Sequence, residues 1–120
     1  MREHGRILIV EDDAFIGLAL EASLQELGYG VIGPYLNLQD GLDHAQRDDI
    51  DFALLDFDLG QGTDAIPIAE TLGGRCIPYV FVTAGSPNRI REFLPYAGII
   101  SKPVDLRVLS EILARDIPRA

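Results

Sequence analysis

Ile7-Leu8-Ile9-Val10-Glu11-Asp12-Asp13 runs from four apolar, mostly β-branched residues into three carboxylates. So short an apolar run, rich in side chains that suit a pleated buried surface, reads as a core strand with acids at its carboxyl end. Asp13 is placed to cap a helix that follows at once. Residues 14–27 have helical spacing, with Phe15, Leu18, Ala19, Ala22 and Leu27 falling largely on one side and Gly28 suited to the C-terminal cap. Strand, acids and helix set the pattern for the rest of the chain.

Further strand-like runs fall at residues 31–33, 52–55, 79–82 and 98–100, and helical patterns at about 38–47, 65–72 and 105–115. Strict alternation of strand and helix calls for parallel strands joined by right-handed crossovers, with helices on both faces of the sheet. The expected fold class is α/β: a doubly wound, five-stranded parallel sheet of flavodoxin-like order 2-1-3-4-5. That order puts the second strand at an edge, where Pro34 is tolerated. Pro87 and Pro95 bracket only residues 88–94, so the fourth helix should be short or irregular, at most about two turns.

A chain of 120 residues that is 48% hydrophobic suits one domain over residues 1–120. Nineteen acidic against 10 basic residues give a formal charge of −9, which disfavours direct binding to nucleic acid or to anionic membrane surfaces. No apolar run reaches membrane-spanning length, and residues 1–5 lead into the first strand without a signal-peptide apolar region, so a cytoplasmic setting is expected. Cys76, among apolar neighbours and with no second cysteine, reads as a core thiol. His4 and His44 read as solvated histidines, and Arg89 and Arg91 as a solvated face.

The chemistry gathers at the strand ends. Glu11 and Asp12 follow the first strand, and Asp56-Phe57-Asp58 follows the third. In a doubly wound sheet these loops meet in the crevice outside the carboxyl ends of the strands. Carboxylates gathered there repel unless a cation is present, and all-oxygen ligands select a hard ion such as Mg²⁺. Strands four and five add Thr83 and Lys102 at the same edge, a hydroxyl and an ammonium suited to the oxygens of a transferring phosphoryl group.

The segments Ile7-Leu8-Ile9-Val10-Glu11-Asp12, Leu54-Leu55-Asp56, Val82-Thr83-Ala84 and Ser101-Lys102-Pro103 together resemble the four signature segments of bacterial response-regulator receiver domains. The resemblance covers essentially the whole chain. It implies that Asp56 accepts a phosphoryl group from a phosphohistidine on a histidine kinase or phosphotransfer protein. It further implies that Glu11 and Asp12 form the acidic pair, that Asp12 and Asp56 ligate Mg²⁺ by side chain, and that Asp58 contributes a backbone carbonyl. Thr83 matches the switch hydroxyl and Lys102 the lysine that pairs with the phosphoryl group, with a commonly cis bond before Pro103. Such a domain is a signalling switch that catalyses only its own phosphorylation and dephosphorylation. With no output domain in these residues, the signal passes to a separate partner or the chain is part of a longer one.

Two departures bear on output. The aromatic switch position three residues before Lys102 holds Ile99, and the short fourth helix alters a surface that typical members use for homodimerisation or partner binding. Among other readings, a Mg²⁺-dependent aspartyl phosphohydrolase of the haloacid-dehalogenase kind shares an Asp-x-Asp at a strand end. There that motif precedes the second acid cluster, whereas Glu11-Asp12 comes first here, and no cap segment fits. A flavodoxin-like cofactor binder needs a phosphate loop where this chain has acids. An unphosphorylated receiver-shaped module would lack Asp56 or Lys102, and both are present.

Overall fold

A computed structural model describes residues 5–117. The chain runs β1 (Arg6–Val10), α1 (Ala14–Glu26), β2 (Gly30–Tyr35), α2 (Leu38–Arg47), β3 (Phe52–Asp56), β4 (Asp58–Gly60), β5 (Thr63–Asp64), α3 (Ile66–Gly74), β6 (Tyr79–Thr83), α4 (Asn88–Phe93), β7 (Gly98–Ser101) and α5 (Leu106–Asp116). The main sheet has order β2-β1-β3-β6-β7, with every pairing parallel. This is the expected flavodoxin-like order, since β6 and β7 are its fourth and fifth strands. His4 and the rest of the N-terminal lead-in lie outside the described residues.

Alternation along the strands produces two cores. Ile7, Ile9, Phe52, Leu54, Val80 and Val82 face α1 and α5, meeting Leu20, Leu24, Leu109 and Leu113. Leu8, Val10, Ala53, Leu55 and Phe81 face the other way, onto Ala45, Ile68, Leu72 and Ile90 of α2, α3 and α4. The three central strands β1, β3 and β6 are thus packed on both faces up to their carboxyl ends, which gives the residues that follow them a well-packed base.

Three expectations are corrected, and one feature is added. On α1 the buried residues are Gly17, Leu20 and Leu24, whereas Phe15 and Leu18 are 86% and 56% exposed. Apolar residues surround this helix, so spacing alone does not select a face; the sheet selects one, with Gly17 lying against Pro34 where a Cβ would come within 3.0 Å. Cys76 is exposed, because the turn after α3 places it at φ +59°, with its N–H donating to the Gly73 carbonyl. His44 is half-buried: its ring stacks on Tyr35 at 4.1 Å and its Nδ1 lies 2.8 Å from Asp48. The loop after β3 contains a small antiparallel hairpin of β4 and β5, with Gly60, Gln61 and Gly62 all at positive φ. The fourth helix is short, as the flanking prolines require.

Pro34 is accommodated by an irregularity in β2. Leu8 pairs with Ile32 and Val10 with Tyr35, so Ile9 alone faces both Gly33 and Pro34, and the bond between those two is cis. The bulge keeps Tyr35 in register, and its carbonyl accepts from the Glu11 N–H at 2.9 Å. Gly33 has φ +98°, and a Cβ there would lie 2.8 Å from the Ile9 carbonyl oxygen and 2.8 Å from the Tyr35 nitrogen. Gly33→Ala is therefore expected to destabilise the protein by roughly 2–3 kcal/mol. Urea unfolding measures this, and a midpoint equal to wild type would refute the tight fit at the bulge.

Candidate functional site

The carboxyl edge of the sheet brings together four of the residues expected there. Lys102 Nζ lies 3.0 Å from Glu11 Oε1 and 3.3 Å from Asp56 Oδ2. Carboxylate oxygens of Glu11, Asp12 and Asp56 fall within 4.8 Å of one another. Glu11 and Asp56 are 2% and 6% exposed, whereas Asp12 is open to solvent.

Backbone bonds between strand ends hold these side chains in place. The Phe57 N–H donates to the Val82 carbonyl at 3.0 Å and the Lys102 N–H to the Thr83 carbonyl at 2.8 Å, which ties the ends of β3, β6 and β7 together. Glu11 Oε2 accepts from the Asp13 N–H at 3.1 Å, so this buried carboxylate is satisfied on both oxygens. Asp13 turns away from the site: its Oδ1 accepts from the N–H groups of Phe15 and Ile16, capping α1 as the sequence suggests. The bond before Pro103 is cis.

Thr83 and Asp58 line the same cleft without joining the cluster. The buried Thr83 hydroxyl accepts from the Gly85 N–H at 3.1 Å. The Asp58 carboxylate is exposed and accepts from the Gly60 N–H at 2.9 Å, so it closes its own turn. Arg89, read from sequence as a solvated residue, lines this cleft too, with its guanidinium carbon 5.8 Å from the centre of the Phe57 ring. No sequence motif marks it; the only available signal is a basic residue shortly after the Thr83 loop.

Burial is the main cause that pushes the Asp56 carboxyl up to about 8, with hydrogen bonding to Glu11 and Asp12 adding to it and Lys102 opposing. Asp12 moves the other way, below its ordinary value, because Asp56 hydrogen-bonds to it, although desolvation opposes this. Without a cation the two thus share a proton that resides on Asp56. Burial disfavours charge on Lys102, but Glu11 and Asp56 outweigh it and raise its pKa. The donor set is all oxygen and net negative, and it suits a hard divalent cation.

The pattern of the family described as response regulator receiver domain matches residues 7–114. The transcriptional regulatory protein PdtaR of Mycobacterium tuberculosis is 27% identical over 108 residues, covering 90% of this chain and 53% of that protein. The chain spans about half the length of the curated relatives it matches. Among solved structures, SdrG from Sphingomonas melonis Fr1 superposes with a TM-score of 0.81 at 32% identity, over 95% of this chain and 97% of that one. The receiver domain of the sensor histidine kinase PA1611 from Pseudomonas aeruginosa PAO1, solved with a magnesium ion coordinated in its active site cleft, gives 0.78 at 28% identity over 93% and 96%. Nothing in these likenesses supports the phosphohydrolase reading.

The shared proton predicts a pH dependence. Asp56 ionises near 3.8 in the unfolded chain and only at about 8 in the folded protein. Between those values the folded state binds more protons, so this residue makes stability fall as pH rises. The lowered Asp12 acts below that window and the raised Lys102 above it. In EDTA, Asp56→Asn should flatten the dependence between about pH 4 and 8 and be more stable than wild type by roughly 1–2 kcal/mol at pH 8. Parallel curves for the two proteins would show that Asp56 is not the perturbed group.

Proposed function

This chain belongs to the response regulator receiver family, and from that premise we propose that Asp56 is the phosphoacceptor of a two-component phosphorelay. One observation carries the reading: the Lys102 ammonium spans Glu11 and Asp56 in a cleft also lined by Asp12 and Thr83. An Asp56 oxygen attacks the phosphorus of a phosphohistidine presented by a histidine kinase or phosphotransfer protein, and the phosphorus–nitrogen bond breaks as the new bond forms. Asp12 and Asp56, with Glu11 beside them and the Asp58 carbonyl, would hold Mg²⁺, which would supply positive charge for the ionised carboxylate and the phosphoryl oxygens. Lys102 holds the acceptor and then neutralises a phosphoryl oxygen. The Thr83 hydroxyl, which accepts from the Gly85 N–H, donates its own proton to a phosphoryl oxygen and draws the loop before α4 inward.

The proposal extends to a signalling role without turnover of external substrates, to one domain over residues 1–120 and to a cytoplasmic setting. Among the described residues no helix is long and apolar enough to cross a membrane. Output passes to a downstream protein or a second copy, and the charge of −9 argues against direct contact with nucleic acid. At position 99 a stiff isoleucine stands where the family has an aromatic switch, so the moving part is assigned to residues 83–97. There α4 has only six residues, and few backbone bonds secure it.

Incubation with Mg²⁺ and phosphoramidate should place a base-labile adduct on Asp56, and an adduct that persists in Asp56→Asn would refute the assignment. Slow single turnover distinguishes a receiver from a phosphohydrolase, which releases phosphate repeatedly. Mg²⁺ at ten times its Kd should stabilise the fold by about 1.4 kcal/mol, less in Asp12→Asn. Equal melting temperatures in Mg²⁺ and EDTA speak against the metal site. Beryllofluoride should change hydrogen exchange most in residues 83–97, whereas changes confined to residues 11–13 and 56–63 would contradict this account of output.

A further inference from the structure

Arg89 stands on the second residue of α4, and its guanidinium carbon lies 5.8 Å from the centre of the Phe57 ring. Phe57 directly follows Asp56, is buried, and is held edge-on by Phe81 at 5.5 Å and 85°. The guanidinium thus rests on a fixed aromatic surface one residue from the acceptor. It occupies the ridge between two clefts, one containing Asp12, Asp56, Thr83 and Lys102, the other formed around Gly60–Asp64 by the small hairpin. Acids line both clefts, yet Arg89 forms no hydrogen bond or ion pair with a described residue. The small, exposed residues Ala84, Gly85 and Ser86 line the same cleft as Arg89 and Asp56.

Charge completes the argument. With all three acids ionised, Glu11, Asp12 and Asp56 against Lys102 leave two negative charges in the site, which one divalent cation would cancel. Phosphorylation of Asp56 then restores about one negative charge. Of the two cationic residues lining the cleft, Lys102 is already held by carboxylates, and only Arg89 is uncommitted. An exposed cation–π contact is weak beside a charge-assisted, two-pronged bond from a planar guanidinium to phosphoryl oxygens.

Resting on the receiver reading, we infer that Arg89 is a ligand of the phosphoryl group, parked on Phe57 in the unphosphorylated protein and transferred to the phosphoryl oxygens when Asp56 is modified. Because Arg89 belongs to α4, its transfer moves that helix and couples chemistry to the output surface where the chain has Ile99 in place of an aromatic switch.

The test measures beryllofluoride affinity at fixed Mg²⁺ in wild type, Arg89→Met and Arg89→Lys, alongside phosphoramidate labelling. Arg89→Met keeps an apolar stem over Phe57 without the charge, so it should still be labelled on Asp56 and melt near wild type but bind beryllofluoride about tenfold more weakly. Arg89→Lys should recover part of the loss. Affinity within twofold of wild type in Arg89→Met overturns the inference while labelling upholds the receiver reading. No labelling of wild type overturns both. Should Arg89→Met fail to fold, nitrogen-15 spectra of wild type decide: the Arg89 Nε–H resonance should shift and gain protection on adding beryllofluoride, and an unmoved resonance overturns the inference.

Discussion

A single ammonium, that of Lys102, stands between the buried carboxylates of Glu11 and Asp56 and holds together an edge that charge repulsion would otherwise open. Three acids against one base in a site this closed is an unstable balance, and the protein meets it by leaving a proton on Asp56 and lowering Asp12 beside it. The surrounding fold keeps these groups from separating. Bonds from Phe57 to Val82 and from Lys102 to Thr83 fasten three strand ends together, and Tyr35 fastens Glu11 from the fourth. A stored electrostatic conflict of this kind disposes the site to bind a cation and to take up a group that changes its charge.

The restraint on Glu11 reaches back to the edge of the sheet. Gly33 adopts a left-handed conformation so that the strand can carry Pro34 and return to register at Tyr35. Proline and bulge are thus part of how the acidic pair is presented, not a local irregularity of an edge strand. On the opposite side the fold is less tightly secured. Helix α4 has six residues, and Ile99 is only partly buried against the core. The acidic site is well packed and the neighbouring face of α4 and β7 is lightly held, a division suited to the proposed switch.

Arg89 belongs to that lightly held face while sharing a cleft with the acidic site. Its contact with Phe57 joins the residue following Asp56 to the short helix α4. In a chain without an aromatic side chain at position 99, this contact is a direct physical link between the two regions.

Much was legible from the residues in order. Alternating runs of β-branched and helix-spaced residues determined the α/β class and the five principal strands, because a pleated strand buried on both faces leaves a local signature. Pro34 placed its strand at an edge, Pro87 and Pro95 limited the fourth helix, and Asp13 declared itself a cap, all through steric and hydrogen-bonding rules that act within a few residues. The convergence of Glu11, Asp12, Asp56 and Lys102 followed from the parallel topology, which collects every strand end on one edge. Other features depend on distances between residues remote in the chain. Which side of α1 faces inward was settled by the sheet and Pro34, since apolar residues surround that helix. Cys76 was turned outward by its backbone conformation, and His44 was brought onto Tyr35 by the packing of α2 over the sheet. The resting place of Arg89 and the shared proton of Asp12 and Asp56 are likewise tertiary, because cation–π attraction and pKa coupling arise only once folding brings the groups together and removes water from between them.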